Sequence, residues 1–406
     1  MTHKEAADNK NDQRWAIISL ASIPLIMTLG NSMLIPILPS LEKELDVSSL
    51  QTSYIITVYS IVAIFCIPIA GYLSDQFGRK KVIVPALILT GIGGLVAGWA
   101  SWKMDDPYVM ILIGRVLQGI GASGAMPIVI PLVGDLFKKD EETSAALGII
   151  ETSNTVGKVL SPILGSLLAG VIWFLPFMSI PVFSLISLLL VVFLVKSKAE
   201  GDEKPMKFKE YWQMIKDVFK EHSRWLIAVF VIGAILMFIL FGFLFYLSNI
   251  LEDKFHYDGV KKGFLLAIPL LALSIASFIS GKAIKDNLVV MKWVVFTGIV
   301  IAGVSVGFIS FMDHFISLLA IFLVCGVGIG ASLPCLDSLI TKSLDKSVRG
   351  AVTSIYSAMR FIGVAAGPPV IAILMKVHLL WIVSLLAVLA LIAAFLSFKG
   401  IKPEAD

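Results

Sequence analysis

Twelve long apolar segments, separated by short polar connections, constrain how this chain can fold more than any other feature. A helix needs about 20 predominantly apolar residues to cross a lipid bilayer, and each segment has about that length. We therefore predict an all-α membrane protein with twelve transmembrane helices. The predicted spans are 15–39, 50–72, 82–101, 107–133, 144–170, 172–195, 225–250, 262–281, 291–311, 315–340, 351–375 and 379–398.

The composition supports the same conclusion. The chain is 57% apolar and 15% charged, whereas a typical soluble domain is about 45–50% apolar and about 25% charged. One globular core cannot hide that much apolar surface, so most of it must contact the lipid bilayer. This excludes a soluble enzyme and a nucleic-acid-binding protein.

The placement of the basic residues predicts the orientation in the membrane. Of the 33 Lys and Arg residues, 24 fall on the side of the N-terminus, six on the other side and three within spans. Connections rich in Lys and Arg stay in the cytoplasm. We therefore expect a multi-pass protein of the cytoplasmic membrane with both termini in the cytoplasm. The first span is too long for a signal-peptide core and lacks a cleavage site, so we expect it to be retained.

The longest connection, 196–224, divides the chain into two sets of six spans, at 1–195 and 225–406. Apolar residues recur in this connection at helical spacing, with lysines between them. This pattern predicts an amphipathic helix at the inner membrane surface, and a solvated linker is the alternative. The apolar residues are Phe208, Tyr211, Trp212, Ile215 and Phe219.

Short motifs recur in corresponding spans of the two halves, which predicts two pseudo-symmetric six-helix bundles with a site at their interface. The matching motifs are Gly-Ile-Gly-Ala-Ser at 119–123 and 328–332, each followed by a proline (Pro127 and Pro334), and then Gly157-x3-Ser161-Pro162 and Gly363-x3-Gly367-Pro368.

The loop after the second span reads Gly71-Tyr-Leu-Ser-Asp75-Gln-Phe-Gly78-Arg79-Lys-Lys. It resembles the Gly-x-Leu-x-Asp-x-x-Gly-Arg-Lys signature of the major facilitator superfamily. Gly71 and Gly78 would permit close helix approach and a tight turn, and Arg79 would anchor the loop on the inner side. The resemblance implies that Asp75 meets the positive N-terminus of span eleven and gates a conformational change. A positively charged loop with an incidental Asp is the alternative.

Span four carries Arg115 within the apolar region, where an Arg costs about 2.5–3.5 kcal/mol. Arg115-Val-Leu-Gln118-Gly119 resembles the Arg-x-x-Gln-Gly motif of the same superfamily, which implies a role in proton coupling. The residue lies only two turns from the outer end of the span. A side chain that snorkels to the interface is therefore the alternative.

Span five reads Gly148-x8-Gly157-x3-Ser161-Pro162-x2-Gly165. It resembles the antiporter motif of the superfamily, with Ser161 and Ser166 in place of two glycines. The resemblance implies export in exchange for protons, with Gly148, Gly157, Pro162 and Gly165 as conformational residues.

Glu151, Asn154, Lys158 and Ser161 form one polar stripe on this span. Two opposite charges inside a membrane must line a cavity or meet partners from another span; a purely structural charge network is the alternative. Glu151 is the only carboxylate deep in any span, whereas Asp337 lies near the inner end of span ten. Asn31 occupies the place where many drug exporters of the family have an acid. We therefore assign proton coupling to Glu151, Arg115 and Asp337, and a substrate cavity to Asn31, Asn154, Lys158, Tyr356 and Arg360.

Span seven contains five aromatic residues within nine positions, and we expect at least half of them to face lipid. The sequence contains no nucleotide-binding loop, metal-ligand cluster or nucleophile arrangement. We therefore expect no cofactor and no enzymatic activity, and assign the energy source to the proton gradient.

The sequence thus predicts a monomeric antiporter that exchanges protons for small amphipathic molecules or drugs. A dedicated exporter of an endogenous metabolite, such as a siderophore or a lipid-like product, is the alternative. A non-transporting membrane sensor is a third possibility, although a sensor would be expected to lose the embedded charges.

Overall fold

The structure, a computed structural model, describes residues 3–137, 140–195, 208–283, 287–312 and 314–401. Across these residues the regular structure is entirely helical, and twelve helical segments are long and apolar enough to cross a membrane. The first half contains α1 (His3–Ser32), α2 (Leu38–Leu45), α3 (Ser49–Phe77), α4 (Arg79–Lys103), α5 (Tyr108–Leu136), α6 (Asp140–Val171) and α7 (Leu175–Leu194). The second half contains α8 (Phe208–Asp253), α9 (Gly259–Ala283), α10 (Leu288–Gly307), α11 (Phe315–Ser343), α12 (Lys346–Met375) and α13 (Leu379–Gly400).

Each of the twelve predicted spans coincides with one of these crossings, which confirms the predicted fold class. The first crossing, Gln13–Leu45, is interrupted after α1 by a 3-10 turn at Ile35–Ile37, where Pro36 removes a backbone donor. Most helices extend beyond the predicted limits because the helical hydrogen-bond ladder continues past the apolar stretch. With an even number of crossings, α1 starts and α13 ends on the same side, called here the terminal side; the opposite side is called the far side.

The connection between the halves is helical from Phe208 and merges with α8, with a break in helical geometry at His222. Residues 196–207 of the predicted linker lie outside the described residues. Tyr211 and Ile215 are buried against Ala351 of α12, and the Tyr211 ring lies 5.2 Å from Tyr72 of α3. Part of the apolar face expected at the lipid surface therefore packs on protein from both halves, whereas Trp212 of the same helix is 47% exposed.

Helix α8 lies at the centre of the molecule. Phe243, Phe245 and Tyr246 are buried, while Phe238 and Phe241 are partly buried. The expectation that at least half of these aromatic residues face lipid is wrong. The physical reason is that α8 packs against α9, α11, α12 and α13 of its own half and also against α2 of the first half, so no residue of its 228–252 stretch is exposed.

The recurring Gly-Ile-Gly-Ala-Ser segments do not occupy equivalent places. Gly121 of α5 faces the carbonyl of Ala86 on α4, and Gly119 faces that of Tyr59 on α3. In α11 it is Gly328 that faces α10, and Gly326 that faces α9. The equivalent pairs are therefore Gly119 with Gly326, Gly121 with Gly328 and Pro127 with Pro334, so the sequence alignment of the pentapeptides is two residues out of register.

The second recurring motif is in register. Gly157 of α6 packs against Leu25 of α1, and Gly363 of α12 packs against Ala234 of α8. Each glycine therefore permits a close approach to the first long helix of its own half.

The two halves meet along α3–α12 and α6–α9. On the far side, Ser248 of α8 donates a buried hydrogen bond to the carbonyl of Ile35 (3.1 Å), and Lys43 pairs with Glu252 (2.7 Å). Gly263 of α9 lies against the carbonyl of Pro162 on α6. These contacts join the two halves on the far side.

Candidate transport site

The polar stripe of α6 faces away from lipid. Ile149, Val156 and Leu160 are exposed on one face of α6, as expected of a lipid-facing stripe. Glu151 and Lys158, seven residues apart, lie on the opposite face, where Glu151 is exposed and Lys158 is partly buried. The accessible surface of Glu151 therefore belongs to the space between the halves.

The second half contributes an ion pair to the same space. The guanidinium of Arg360 on α12 lies 3.4 Å from the carboxylate of Asp337 on α11, and the two side chains are 24% and 48% exposed. Both groups are close enough to Glu151 and Lys158 to interact with them electrostatically. The site thus combines two acids and two bases, so Glu151 is not its sole acid. We define these four residues as the central charge cluster.

Asn154 joins the central charge cluster to α1. Its Oδ1 accepts a hydrogen bond from the hydroxyl of Thr28 (2.7 Å), and its Nδ2 lies 3.4 and 3.5 Å from the two carboxylate oxygens of Glu151. Thr28 was not predicted from the sequence, because a single Thr in an apolar span carries no signal.

Arg115 is fully buried, which rules out snorkelling. Its Nε donates to the carbonyl of Ile55 (2.7 Å), one terminal nitrogen donates to Gly30 (3.3 Å) and to the Gln118 side chain, and the other donates to Asn31 Oδ1 (2.7 Å). The guanidinium also lies 4.4 Å from the centre of the Tyr59 ring. Asn31 is therefore a partner of Arg115 rather than a cavity residue as predicted.

Tyr356, predicted to line the substrate cavity, lies against α8. It is buried with its ring 5.7 Å from that of Phe230, and it packs against Gly233 of α8. Helix spacing puts Tyr356 on the same face as Arg360, but α8 lies close enough to cover the tyrosine. Its hydroxyl has no hydrogen-bond partner among the described residues.

The small residues of the antiporter-like motif have different neighbours. Gly157 and Gly165 pack against Leu25 and Met33 of the first crossing, and they permit close contact there. A β-carbon on Gly148 would meet nothing within 4 Å. Close helix approach therefore explains Gly157 and Gly165 but not Gly148.

The signature loop makes different contacts from those expected. Asp75 pairs with Arg79 (2.7 Å), and Arg79 also pairs with Asp135 of α5 (2.8 Å). Gly78 has φ 98°, which favours glycine at this turn. Helix α12 begins at Lys346, five residues before the predicted span 351–375. The end of α3 contacts α12 through Gly71, which lies against Ser354.

The described residues contain no group of three or more His, Cys, Asp or Glu side chains that could hold a metal ion. Twelve crossings in two related halves, with charged residues from both halves meeting between them, define a multi-pass membrane protein of the transporter class. The chain belongs to the Major Facilitator Superfamily, whose family model matches residues 20–368 and 290–406. This confirms the resemblance seen in the sequence.

The relatives of this chain differ widely in their sequence identity to it. The chain is 56% identical over 374 residues to the "Bacillibactin exporter" of Bacillus subtilis, which covers 91% of this chain and 92% of that protein. It is 24% identical over 376 residues to "Multidrug resistance protein 2" of the same organism, covering 91% of each. It is 22% identical over 376 residues to the class C tetracycline resistance protein of Escherichia coli, covering 88% of each.

Solved structures confirm the fold. The human organic anion transporter MFSD10 (TETRAN) superposes with a TM-score of 0.75 at 17% identity, covering 95% of this chain and 99% of that one. A bacterial homologue of the human lysosomal transporter Spinster, in an inward-facing and unoccupied conformation, also gives a TM-score of 0.75, at 13% identity.

Proposed function

We propose that this chain exports bacillibactin, or an endogenous metabolite of closely related chemistry, across the cytoplasmic membrane in exchange for protons. The observation that carries this proposal is the 56% identity to the bacillibactin exporter over 91% of the chain. The drug and tetracycline exporters are only 24% and 22% identical. The dedicated exporter therefore replaces the drug exporter as the preferred function.

The central charge cluster supports a transport mechanism. Its residues come from α6 in the first half and from α11 and α12 in the second, so a relative movement of the halves changes their separation. Glu151 is exposed, while contacts such as Lys43–Glu252 join the halves on the far side. With the termini in the cytoplasm, this state would load substrate from the cell interior.

Exchange requires that proton and substrate exclude each other. In the proposed cycle, Glu151 binds a proton in one state and a substrate group in the other, while Lys158 and Arg360 orient the substrate. One charge moving down the membrane potential supplies about 2.3 kcal/mol per 100 mV, which is enough for more than a tenfold substrate gradient.

The test uses inverted membrane vesicles that contain the protein and hold an acid-inside gradient. Bacillibactin should accumulate in the vesicles and partly collapse the gradient, whereas tetracycline should do neither. Vesicles without the protein and vesicles treated with a protonophore are the controls. Equal proton movement with tetracycline would favour a drug exporter, and bacillibactin uptake that survives the protonophore would contradict proton exchange.

A further inference from the structure

The helical segment before the break at His222 carries its opposite charges on separate stripes. We call residues 208–221 of α8 the linker helix. Successive residues of an α-helix are turned by about 100°, so Lys209, Lys216 and Lys220 lie within about 40° of one another. We call these three residues the lysine row. The acids of the linker helix lie on a stripe about 100° away, at Glu210, Asp217 and Glu221.

The lysine row has no counterion among the described residues. All three side chains are exposed, and none makes an ion pair or a hydrogen bond within the described part of the chain. Asp217 lies three residues before Lys220, a spacing at which opposite charges can pair on a helix. It accepts a hydrogen bond from Gln213 Nε2 instead (2.9 Å). The three positive charges are therefore available to a ligand from outside the chain.

Trp212 borders the lysine row, about 60° from its middle and on the side away from the acids. Its side chain is 47% exposed, whereas Tyr211 and Ile215 on the protein-facing side are buried. Tryptophan is enriched at membrane surfaces, where its ring is apolar and its N–H reaches polar groups. Lysine suits the same place, because its stem can lie along apolar material while its ammonium stays among polar groups. This combination is typical of a helix face in the headgroup layer.

The contacts of the linker helix place it at the depth of the headgroups. Helix α3 has 29 residues, which span roughly 43 Å, the thickness of a bilayer with its headgroups. Tyr72, whose ring lies 5.2 Å from that of Tyr211, is five residues from the end of α3 at Phe77. Ala351, which also packs against the linker helix, is five residues from the start of α12. Five residues span about 7.5 Å, so the linker helix lies level with the last turns of the spans.

We infer that the lysine row and Trp212 bind the headgroups of anionic phospholipids in the leaflet on the terminal side. The lysine ammonium groups donate hydrogen bonds to phosphate oxygens, and the Trp212 ring packs beside the first carbons of the acyl chains. A headgroup with a net negative charge is favoured, because a zwitterionic headgroup brings its own cation towards three lysines. The acids on the neighbouring stripe are turned away from this contact. The surface is separate from the central charge cluster, and the inference does not depend on the proposed function.

The experiment measures how strongly brominated lipids quench the fluorescence of Trp212, since bromine quenches an indole that it contacts. Purified protein is placed in liposomes of phosphatidylcholine. Brominated phosphatidylglycerol, which is anionic, or brominated phosphatidylcholine, which is zwitterionic, then replaces the unlabelled lipid in steps. The chain has eight tryptophans, so the Trp212 signal is the difference between each protein and its Trp212→Phe counterpart. The dependence of quenching on the fraction of brominated lipid gives the preference of this site for the anionic lipid.

Three variants test the lysine row. The first removes its charge, by Lys209→Gln, Lys216→Gln and Lys220→Gln together. The second replaces the same three lysines by arginines, which keeps the charge. The matched control changes to Gln three exposed lysines of other helices on the terminal side, at Lys81, Lys282 and Lys399. Thermal unfolding checks that each variant is folded, and Lys216→Gln alone serves if the triple Gln variant is not.

The wild-type protein should prefer phosphatidylglycerol at Trp212 by at least about fivefold, the factor that one lysine near an anionic surface contributes. The preference should disappear in the triple Gln variant and persist in the Arg variant and in the matched control. It should also weaken in about 1 M salt, where charges are screened beyond about 3 Å.

An equal preference in the wild-type protein and the folded triple Gln variant would overturn the inference. Equal quenching of wild-type Trp212 by the two brominated lipids would do the same, because it would show an apolar contact without selection for charge. Absence of quenching by either lipid would show that this face of the linker helix is in water, which also contradicts the inference.

Discussion

The two halves differ at one equivalent buried place. The register given by the glycine and proline pairs aligns Arg115 of α5 with Phe322 of α11. Arg115 donates to Asn31 of α1 and lies over Tyr59. Phe322 instead stacks on Phe243 of α8, with ring centres 5.2 Å apart. One half thus holds a buried cation where the other holds an aromatic cluster.

This difference indicates that the two halves have different roles. A buried guanidinium whose described hydrogen-bond partners are all neutral is costly to keep, so its retention favours a functional role. The aromatic cluster packs tightly and adds no charge, which suits a rigid support. The second half contributes to the central charge cluster only through the Asp337–Arg360 pair.

The largest effect is expected for Arg115→Ala. Uphill export should be abolished, because the Asn31 and Gln118 side chains lose their shared donor and each unsatisfied group costs about 1–3 kcal/mol. The measurement is gradient-driven accumulation in inverted vesicles, normalised to folded protein. Phe322→Leu at the equivalent place should keep proton coupling. Arg115→Lys should lose uphill export as Arg115→Ala does, because a lysine cannot reproduce the planar set of donors. Full uphill activity in Arg115→Lys would contradict a functional role for the guanidinium that distinguishes the first half from the second.

The second prediction concerns Glu151→Gln. This variant should permit downhill exchange of substrate but lose uphill export and substrate-induced proton movement, because a Gln amide does not bind and release a proton as a carboxylate does. Asp337→Asn is the matched variant in the second half. Although the sequence assigned Asp337 to proton coupling, it pairs with Arg360, which is proposed to orient the substrate, so this variant should weaken substrate binding while keeping proton movement. Proton movement at the wild-type level in Glu151→Gln would transfer the proton site to Asp337.

The third prediction concerns the signature loop, which is complete only in the first half. The corresponding stretch of the second half, 281–286, lacks the Gly-Arg pair. Asp75→Asn should insert normally and slow transport about two- to fivefold, since exposed ion pairs contribute up to about 1 kcal/mol. The measurement is the transport rate at saturating substrate, with Asp135→Asn as the matched variant. A wild-type rate in Asp75→Asn would exclude a gating role.

The sequence predicts the fold well because span length and apolar content are local properties, and local properties can be read without knowing neighbours. It also identifies Glu151, Lys158, Asp337 and Arg360, because ionisable residues inside spans are costly and stand out. The sequence does not predict the surroundings of a side chain when they depend on which helix packs against it. Tyr356 shares a face with Arg360, yet α8 covers it.

The missed residue has the same origin. Thr28 is 126 residues away from its partner Asn154, and a single Thr is not unusual in a span. The two Gly-Ile-Gly-Ala-Ser segments were aligned two residues out of register for a similar reason. Glycines in both α5 and α11 face two different neighbouring helices, so identical residues matched at an offset that does not pair equivalent contacts. Contacts between helices that are distant in sequence decide each of these cases.

The smallest effect is expected at Glu252, which pairs with two lysines, Lys43 and Lys262. Lys43 of the first half is 74% exposed, whereas Lys262 of the second half is 2% exposed and lies 2.6 Å from the carboxylate. Only the Lys43 pair crosses between the halves. Lys43→Gln should therefore open the far side slightly, by about fivefold in population at most, because an exposed pair contributes no more than about 1 kcal/mol.

The measurement is the distance distribution between spin labels on the far-side connections at 46–48 and 254–258. Lys376→Gln is the control, because this far-side lysine is exposed and has no ion pair among the described contacts. Glu252→Gln should have a larger effect, because it leaves Lys262 buried without a carboxylate. If Lys43→Gln changes the distances no more than Lys376→Gln does, the ion pair between the halves has no part in closing the far side, and the buried hydrogen bond from Ser248 to Ile35 becomes the contact to remove next.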